Sequence, residues 1–315
     1  MKVLITTIPF GEGDKKILEM IKKSEIDFKF NKTGKKLTSE ELILFAKSCD
    51  AIIAGTDKFD EYVLSNLPNL KFISRVGVGI DSIDLDFCKN SGIKVSNTPI
   101  APVRAVAELT IGLIFSLLRS IHLSDSSLKS GTWKKEMGKS IDSSTVGIVG
   151  NGRIGKEVIN LLSGLCQKEI LVHDPIDCSN TNPKVKFVSK EEILSRSDIL
   201  SLHIPLTQET KGFISKKELL SMKEDAYLIN TARGGIINED DLYKVLSKGS
   251  LSGVALDVFE NEPYDGPLKN IQRCLLTPHL GPMTFNSRNL MEMQALDEII
   301  RFANGRKLNN LVLGF

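Results

Sequence analysis

Three side chains suited to holding an anion and moving a proton stand in the C-terminal half of this 315-residue chain: Arg233, Glu262 and His279. Arg233 offers a planar fork of donors that matches a carboxylate in two places. Gly234 and Gly235 follow it and leave room for a ligand. The alternative is an arginine paired with a structural carboxylate. His279 lies in Pro278-His-Leu-Gly281, just past the apolar pair Leu275-Leu276. Histidine is the side chain best matched to proton transfer near neutral pH, although a lone histidine can also be a structural hydrogen-bonding residue. Glu262 stands 17 residues earlier, in Glu260-Asn-Glu-Pro263. A carboxylate beside an imidazole favours the imidazolium and fixes the ring. Glu262 reads equally as a solvated loop acid or a residue that sets the turn at Pro263.

A second constellation is Gly150-Asn-Gly-Arg-Ile-Gly155. The β-branched run 146–149 before it reads as a buried parallel strand, and 156–162 after it as a helix. Gly150 permits the tight turn, Gly152 admits a pyrophosphate to the backbone, and Gly155 lets helix approach strand. The anion would rest on the helix N-terminus, where unpaired N–H groups and the macrodipole favour it. A second strand, 170–173, ends at His173 and leads to Asp174, 19 residues past Gly155. That offset suits an acid on the adenosine ribose. The alternative is an ordinary glycine-rich strand-to-helix turn.

The positions of these residues follow from the elements around them. Strands end near His203, Arg233, Asp257 and His279, and in a doubly wound sheet such ends line one crevice. The N-terminal part alternates strands (2–7, 26–30, 51–54, 71–74, 93–96) with helices, so it is a parallel α/β unit of its own. Its strand 71–74 runs into Arg75-Val-Gly-Val-Gly-Ile-Asp81, which reads as an anion-holding turn or as a turn needing glycine for its dihedrals. A long apolar helix is expected over 103–122. The stretch 124–144 reads as polar and irregular, with Trp133 inside it.

Composition narrows the class. Lys and Arg number 41 against 39 Asp and Glu, a net charge of +2 without a basic block, so nothing points to nucleic acid. Cys49, Cys88, Cys166, Cys178 and Cys274 show no pairing pattern, which suits a reducing compartment, and no metal-ligand spacing occurs. The longest apolar segment, 109–118, is too short for a bilayer. A cytoplasmic protein is expected, without membrane or nucleic-acid partners.

Taken together, Gly150-Asn-Gly-Arg-Ile-Gly155, His173-Asp-Pro175, His203-Ile-Pro205, Asn230-Thr-Ala-Arg-Gly-Gly235, Asp257-Val-Phe-Glu-Asn-Glu-Pro263 and Thr277-Pro-His-Leu-Gly281 resemble the D-isomer-specific 2-hydroxyacid dehydrogenases. Within that family the chain is most similar to the short phosphoglycerate dehydrogenases that lack a C-terminal regulatory domain. The resemblance implies an α/β fold of two Rossmann-like or flavodoxin-like parallel-sheet domains with a cleft between them. One is a discontinuous substrate domain (1–98 and 285–315), the other an NAD-binding domain (99–284).

For site residues it implies Arg233 on the substrate carboxylate, His279 as acid/base and Glu262 as its support. Hydride would pass between nicotinamide C4 and substrate C2. NAD would meet Gly150, Gly152, Arg153, Ile154, Gly155, His173, Asp174, Pro175, His203, Pro205, Thr210, Thr231, Ala232, Arg233, Asp257, His279 and Gly281. Arg75 and the backbone of Val76 and Gly77 would also contact substrate, with Lys134 or Lys135 assisting Arg75 on a phosphate. Ala54 departs from the arginine some phosphoglycerate enzymes carry there. The region 103–128 would form a homodimer interface. Glyoxylate, hydroxypyruvate or another 2-keto acid is the alternative substrate, and an NAD-sensing scaffold or co-repressor the alternative of another class.

Overall fold

A computed structural model describes residues 1–176 and 184–312. Cys178 lies outside them. Contacts divide the chain into two units, residues 1–102 with 282–315, and residues 103–281. Residues 99–102 and 282–284, which the sequence reading gave to the cofactor domain, therefore go with the first unit. Ala101 is buried in that unit's core beside Val3 and Ile5, and Thr284 caps the unit's last helix by accepting the Ser287 N–H.

The first unit contains β1 (Lys2–Ile5), α1 (Lys15–Lys23), β2 (Asp27–Phe30), α2 (Ser39–Ala46), β3 (Ala51–Ala54), α3 (Glu61–Ser65), β4 (Phe72–Arg75), α4 (Leu85–Asn90) and β5 (Lys94–Ser96). The strands form one parallel sheet in the order β2-β1-β3-β4-β5. Side chains alternate across it: Leu4, Ile52 and Ala54 enter one core, Val3, Ile5, Ala51 and Ile53 the other. The last helix, Phe285–Ala303, covers the second face through Met291, Ala295, Leu296 and Ile299. The short α4 was not expected. Its signal is Asp84, whose carboxylate caps the Phe87 N–H at 2.9 Å.

The second unit contains α5 (Val103–Leu118), α6 (Ile121–Lys129), β6 (Thr145–Val149), α7 (Arg153–Leu162), β7 (Glu169–His173), β8 (Val185–Phe187), α8 (Lys190–Arg196), β9 (Ile199–Leu202), α9 (Lys216–Ser221), β10 (Tyr227–Asn230), α10 (Glu239–Ser247), β11 (Gly253–Leu256) and β12 (Cys274–Leu276); the returning helix of the first unit is then α11. Its seven strands are parallel in the order β12-β11-β10-β9-β6-β7-β8. The strand order reverses between β6 and β9, which is where open α/β sheets bind ligands.

The expected single helix over 103–122 is two. Ser120 takes a left-handed φ of 49°, and the axis bends by 63° into α6. Apolar periodicity runs through this break, so it gave no sequence sign. α6 fills part of the stretch expected to be irregular. No single helix among the described residues is long and apolar enough to cross a membrane.

Candidate active site

The glycine loop packs as its sequence demands. Gly150 has φ +100°, and a Cβ on it would sit 2.5 Å from the His203 carbonyl oxygen. A Cβ on Gly155 would lie 2.0 Å from the Gly150 carbonyl oxygen. Gly152, the N-cap of α7, has open space where its Cβ would be, and no side chain caps the helix. The first N–H groups of α7 thus face outward beside a backbone without side chain, a cradle that fits a dinucleotide pyrophosphate. Arg153 is exposed beside it and Ile154 packs into the core below.

The rim of that cradle is ordered by the other predicted residues. Asp174 follows β7; its carboxylate accepts the Asn151 N–H at 2.7 Å and the Ile176 N–H at 2.8 Å, and Pro175 is exposed. His173 holds the Val188 carbonyl through Nδ1 at 3.0 Å and stacks on Phe213. His203 pairs Nε2 with Ser201 Oγ at 2.9 Å; burial of its ring lowers its pKa to about 3, so it is neutral. The Pro205 carbonyl accepts from Thr210 Oγ1 at 2.6 Å, closing the loop after β9. Thr231 shares a 2.9 Å hydrogen bond with Thr110 of α5.

Around His279, three loops converge. Asp257, at the end of β11 and fully buried, accepts from Thr277 Oγ1 at 2.6 Å, the Leu280 N–H at 2.7 Å and the Gly281 N–H at 2.8 Å. Burial raises the Asp257 carboxyl's pKa against these donors and the charge of His279. These bonds fold 277–281 into a tight turn with His279 at φ +55°. His279 Nδ1 meets Glu262 Oε2 at 2.9 Å and Oε1 at 3.2 Å. Burial works against the Glu262 charge. The His279 hydrogen bond and charge, the Phe259 N–H at 3.2 Å and the Arg233 charge outweigh it, so the carboxyl lies below its ordinary pKa.

Arg233 follows β10 on a loop built by Asn230, which accepts the Ala232 N–H at 3.0 Å and donates to the Arg233 carbonyl at 2.8 Å. A Cβ on Gly234 would lie 1.9 Å from the Phe259 carbonyl oxygen, so only glycine lets this loop meet the one carrying Glu262. The unit therefore brings Arg233, Asp257 and His279, expected from the strand ends, to one edge together with Glu262.

The turn after β4 differs from expectation. Val76 is buried and its N–H donates to the Ala54 carbonyl at 2.9 Å; the Gly77 N–H donates to Thr98 Oγ1 at 2.7 Å. Neither donor is open to a carboxylate. The half-buried Val78 and Gly79 come next, and their N–H groups meet no acceptor among the described residues. Two Val-Gly pairs follow each other in the sequence, and only the fold shows which of their N–H groups are bonded within the unit. Arg75 lays its guanidinium on the Val76 carbonyl, and Lys134 pairs with Glu136 at 2.5 Å.

Comparison with known proteins agrees with this geometry. The family described as D-isomer specific 2-hydroxyacid dehydrogenase, NAD binding domain, matches residues 111–281. The chain is 38% identical over 278 residues to a glyoxylate reductase of Thermofilum pendens, covering 84% of this chain and 82% of that one. It is 35% identical over 320 residues to a D-3-phosphoglycerate dehydrogenase of Methanocaldococcus jannaschii, covering 99% of this chain but 59% of that one. The crystal structure of a D-lactate dehydrogenase from Aquifex aeolicus, complexed with NAD and lactic acid, superposes with a TM-score of 0.87 at 28% identity over 100% of both chains. The chain belongs to the D-isomer-specific 2-hydroxyacid dehydrogenases and is an NAD-dependent oxidoreductase of 2-hydroxy acids.

Proposed function

We propose that Arg233, His279 and Glu262 interconvert a D-2-hydroxy acid and its 2-keto acid, with 3-phosphoglycerate as the hydroxy acid. The observation that carries the chemistry is the bond from His279 Nδ1 to the Glu262 carboxylate at 2.9 Å. It leaves Nε2, which has no partner among the described residues, for the substrate oxygen. In the oxidative direction Nε2 takes the hydroxyl proton as the C2 hydride leaves, and Glu262 stabilises the imidazolium. In reduction His279 returns that proton while Arg233 holds the carboxylate and polarises the keto oxygen. Bound NAD supplies the hydride acceptor, its pyrophosphate held by the α7 N-terminus and its ribose by Asp174. A carboxylate at Asp174 disfavours a 2′-phosphate, so NAD is preferred over NADP.

The phosphorylated substrate is supported by likeness to the phosphoglycerate enzyme over 99% of this chain and by Arg75 at the end of β4. Val78 and Gly79 replace Val76 and Gly77 as the backbone donors proposed for substrate. One observation favours a second reading, an unphosphorylated acid such as glyoxylate or hydroxypyruvate: Ala54 is fully buried, and Arg75 and Lys134 already hold acceptors. The test is NADH oxidation against 3-phosphohydroxypyruvate, hydroxypyruvate, glyoxylate and pyruvate, with NADPH as control. A large kcat/KM preference for the phosphorylated acid supports the first reading; a preference for any other member replaces it with the second.

A homodimer through 103–128 is part of the same proposal. α6 buries none of its residues and leaves Ile121 and Leu128 more than half exposed, an apolar face that suits a second copy. Sedimentation velocity at two concentrations tests it.

A further inference from the structure

We propose that Glu239 is a positioning residue for the Glu262–His279 pair, acting through the Phe259–Glu260 peptide. This rests on the acid/base reading above. Glu239 is the first residue of α10, where an acid ordinarily serves its own helix. Here the helix start is satisfied without it: Asn238 caps the Asp241 N–H at 2.9 Å. The Glu239 carboxylate instead reaches 21 residues along the chain and accepts the Glu260 N–H at 2.7 Å.

That peptide and the one before it have two further duties. A Cβ on Gly234 would lie 1.9 Å from the Phe259 carbonyl oxygen and 2.5 Å from the Glu260 nitrogen, so the peptide packs directly on the residue after Arg233. The Phe259 N–H, in the preceding Val258–Phe259 peptide, donates to Glu262 Oε1 at 3.2 Å. One carboxylate thus fixes the peptide on which the Arg233 loop packs, and through Phe259 the adjoining N–H on which the Glu262 carboxylate is set.

The surroundings make the charge expensive to keep. Glu239 is half-buried, and the Glu260, Asp240 and Glu262 carboxylates act on it as like charges. Burial, then these like charges, push its pKa up against the Glu260 N–H. A charged acceptor makes a hydrogen bond about twice as strong as a neutral one. Retaining it at this site is explained by the need to hold the 259–262 turn.

The experiment compares Glu239→Ala, Glu239→Gln and Glu239→Asp in the full chain, using the keto acid turned over best in the substrate panel. Glu239→Ala is expected to lower kcat by about 10- to 100-fold, the range for a small misplacement of a catalytic group. KM for NADH stays within about threefold, because the glycine cradle lies elsewhere. Loss of the Glu239 charge, common to Glu239→Ala and Glu239→Gln, favours the charged form of Glu262, whereas displacement of the Phe259 N–H from Glu262, expected in Glu239→Ala alone, disfavours it, so the acidic limb of the kcat/KM pH profile lies nearer neutrality in Glu239→Ala than in Glu239→Gln. Glu239→Gln keeps an acceptor oxygen and is expected to recover most of kcat. Wild-type kcat in Glu239→Ala, or equal losses or the same limb in Glu239→Ala and Glu239→Gln, overturns the proposal. Should Glu239→Ala not fold, Glu239→Asp decides: its shorter reach lowers kcat with a moved limb, and wild-type behaviour overturns the idea. His279→Asn, measured in parallel, separates the two layers, since undiminished turnover there refutes the acid/base reading whatever Glu239 does.

Discussion

The two parallel sheets share a topological device and use it in opposite ways. Each reverses strand order once, at β1/β3 in the first unit and at β6/β9 in the second. At the second reversal the chain carries Gly150, Gly152 and Gly155, and the Gly152 side is open. At the first it carries Thr6 and Asp57, both buried, joined by a short hydrogen bond. Thr6 Oγ1 also accepts the Gly55 N–H at 3.2 Å, and Asn31 Nδ2 donates to the Thr6 carbonyl at 3.1 Å. The crevice left open in one sheet is filled by a polar lock in the other. Architecture offers the position, and side chains decide whether it binds or braces.

The sharpest way to break that contrast is to remove the chemistry and leave the sheet intact. His279→Ala or Arg233→Ala should lower kcat/KM by about 10³-fold or more, while NADH fluorescence titration still shows binding. A loss below tenfold in both variants would falsify the assignment of roles. Next come the glycines. Gly150→Ala forces a Cβ to 2.5 Å from a backbone oxygen at a left-handed φ, and should cost about 2 kcal/mol or more of stability together with NADH binding. Gly152→Ala meets nothing within 4 Å, so denaturant midpoints should hold while NADH affinity falls by about tenfold. Equal stability losses at the two positions would erase the distinction between a packing glycine and a cradle glycine.

Asp57→Ala tests the other crevice. It leaves the buried Thr6 hydroxyl only the Ile53 carbonyl at 3.4 Å and strips the Leu37 N–H of its acceptor, and should destabilise by about 1–3 kcal/mol, with kcat of the folded protein unchanged. A loss of turnover without loss of stability would show that this crevice also serves catalysis. The smallest effect is in pH. Burial depresses His203 from 6.5 to about 3, so between those values the unfolded chain binds the proton that the folded chain refuses. Its contribution to stability is full above 6.5 and is lost as pH falls toward 3. Glu262 is also depressed, and its contribution is present above its ordinary 4.5 and lost as pH falls through the lower folded value. Replacing His203 by Asn should flatten urea-midpoint curves between pH 6.5 and 5, and an unchanged slope would remove His203 from that account.

Much of this was legible beforehand because it is local. Alternation of β-branched runs with amphipathic stretches predicts parallel α/β units, and glycine spacing after β6 predicts the cradle, since both depend on residues within a turn or two of each other. Residue types at strand ends likewise marked Arg233, Asp257 and His279, because a parallel sheet brings its carboxyl ends to one edge. What the fold alone decided depends on contacts far apart in sequence. The break at Ser120 lies inside an unbroken apolar pattern, and the division at 102/103 follows Ala101 into a core with β1. Which peptides of Arg75-Val-Gly-Val-Gly-Ile-Asp81 offer donors was settled by Ala54 and Thr98, neither adjacent in the chain. That Glu239 grips the Glu260 N–H rather than its own helix is of the same kind: the bond spans 21 residues, and only packing of Gly234 on the Phe259–Glu260 peptide brings the two loops together.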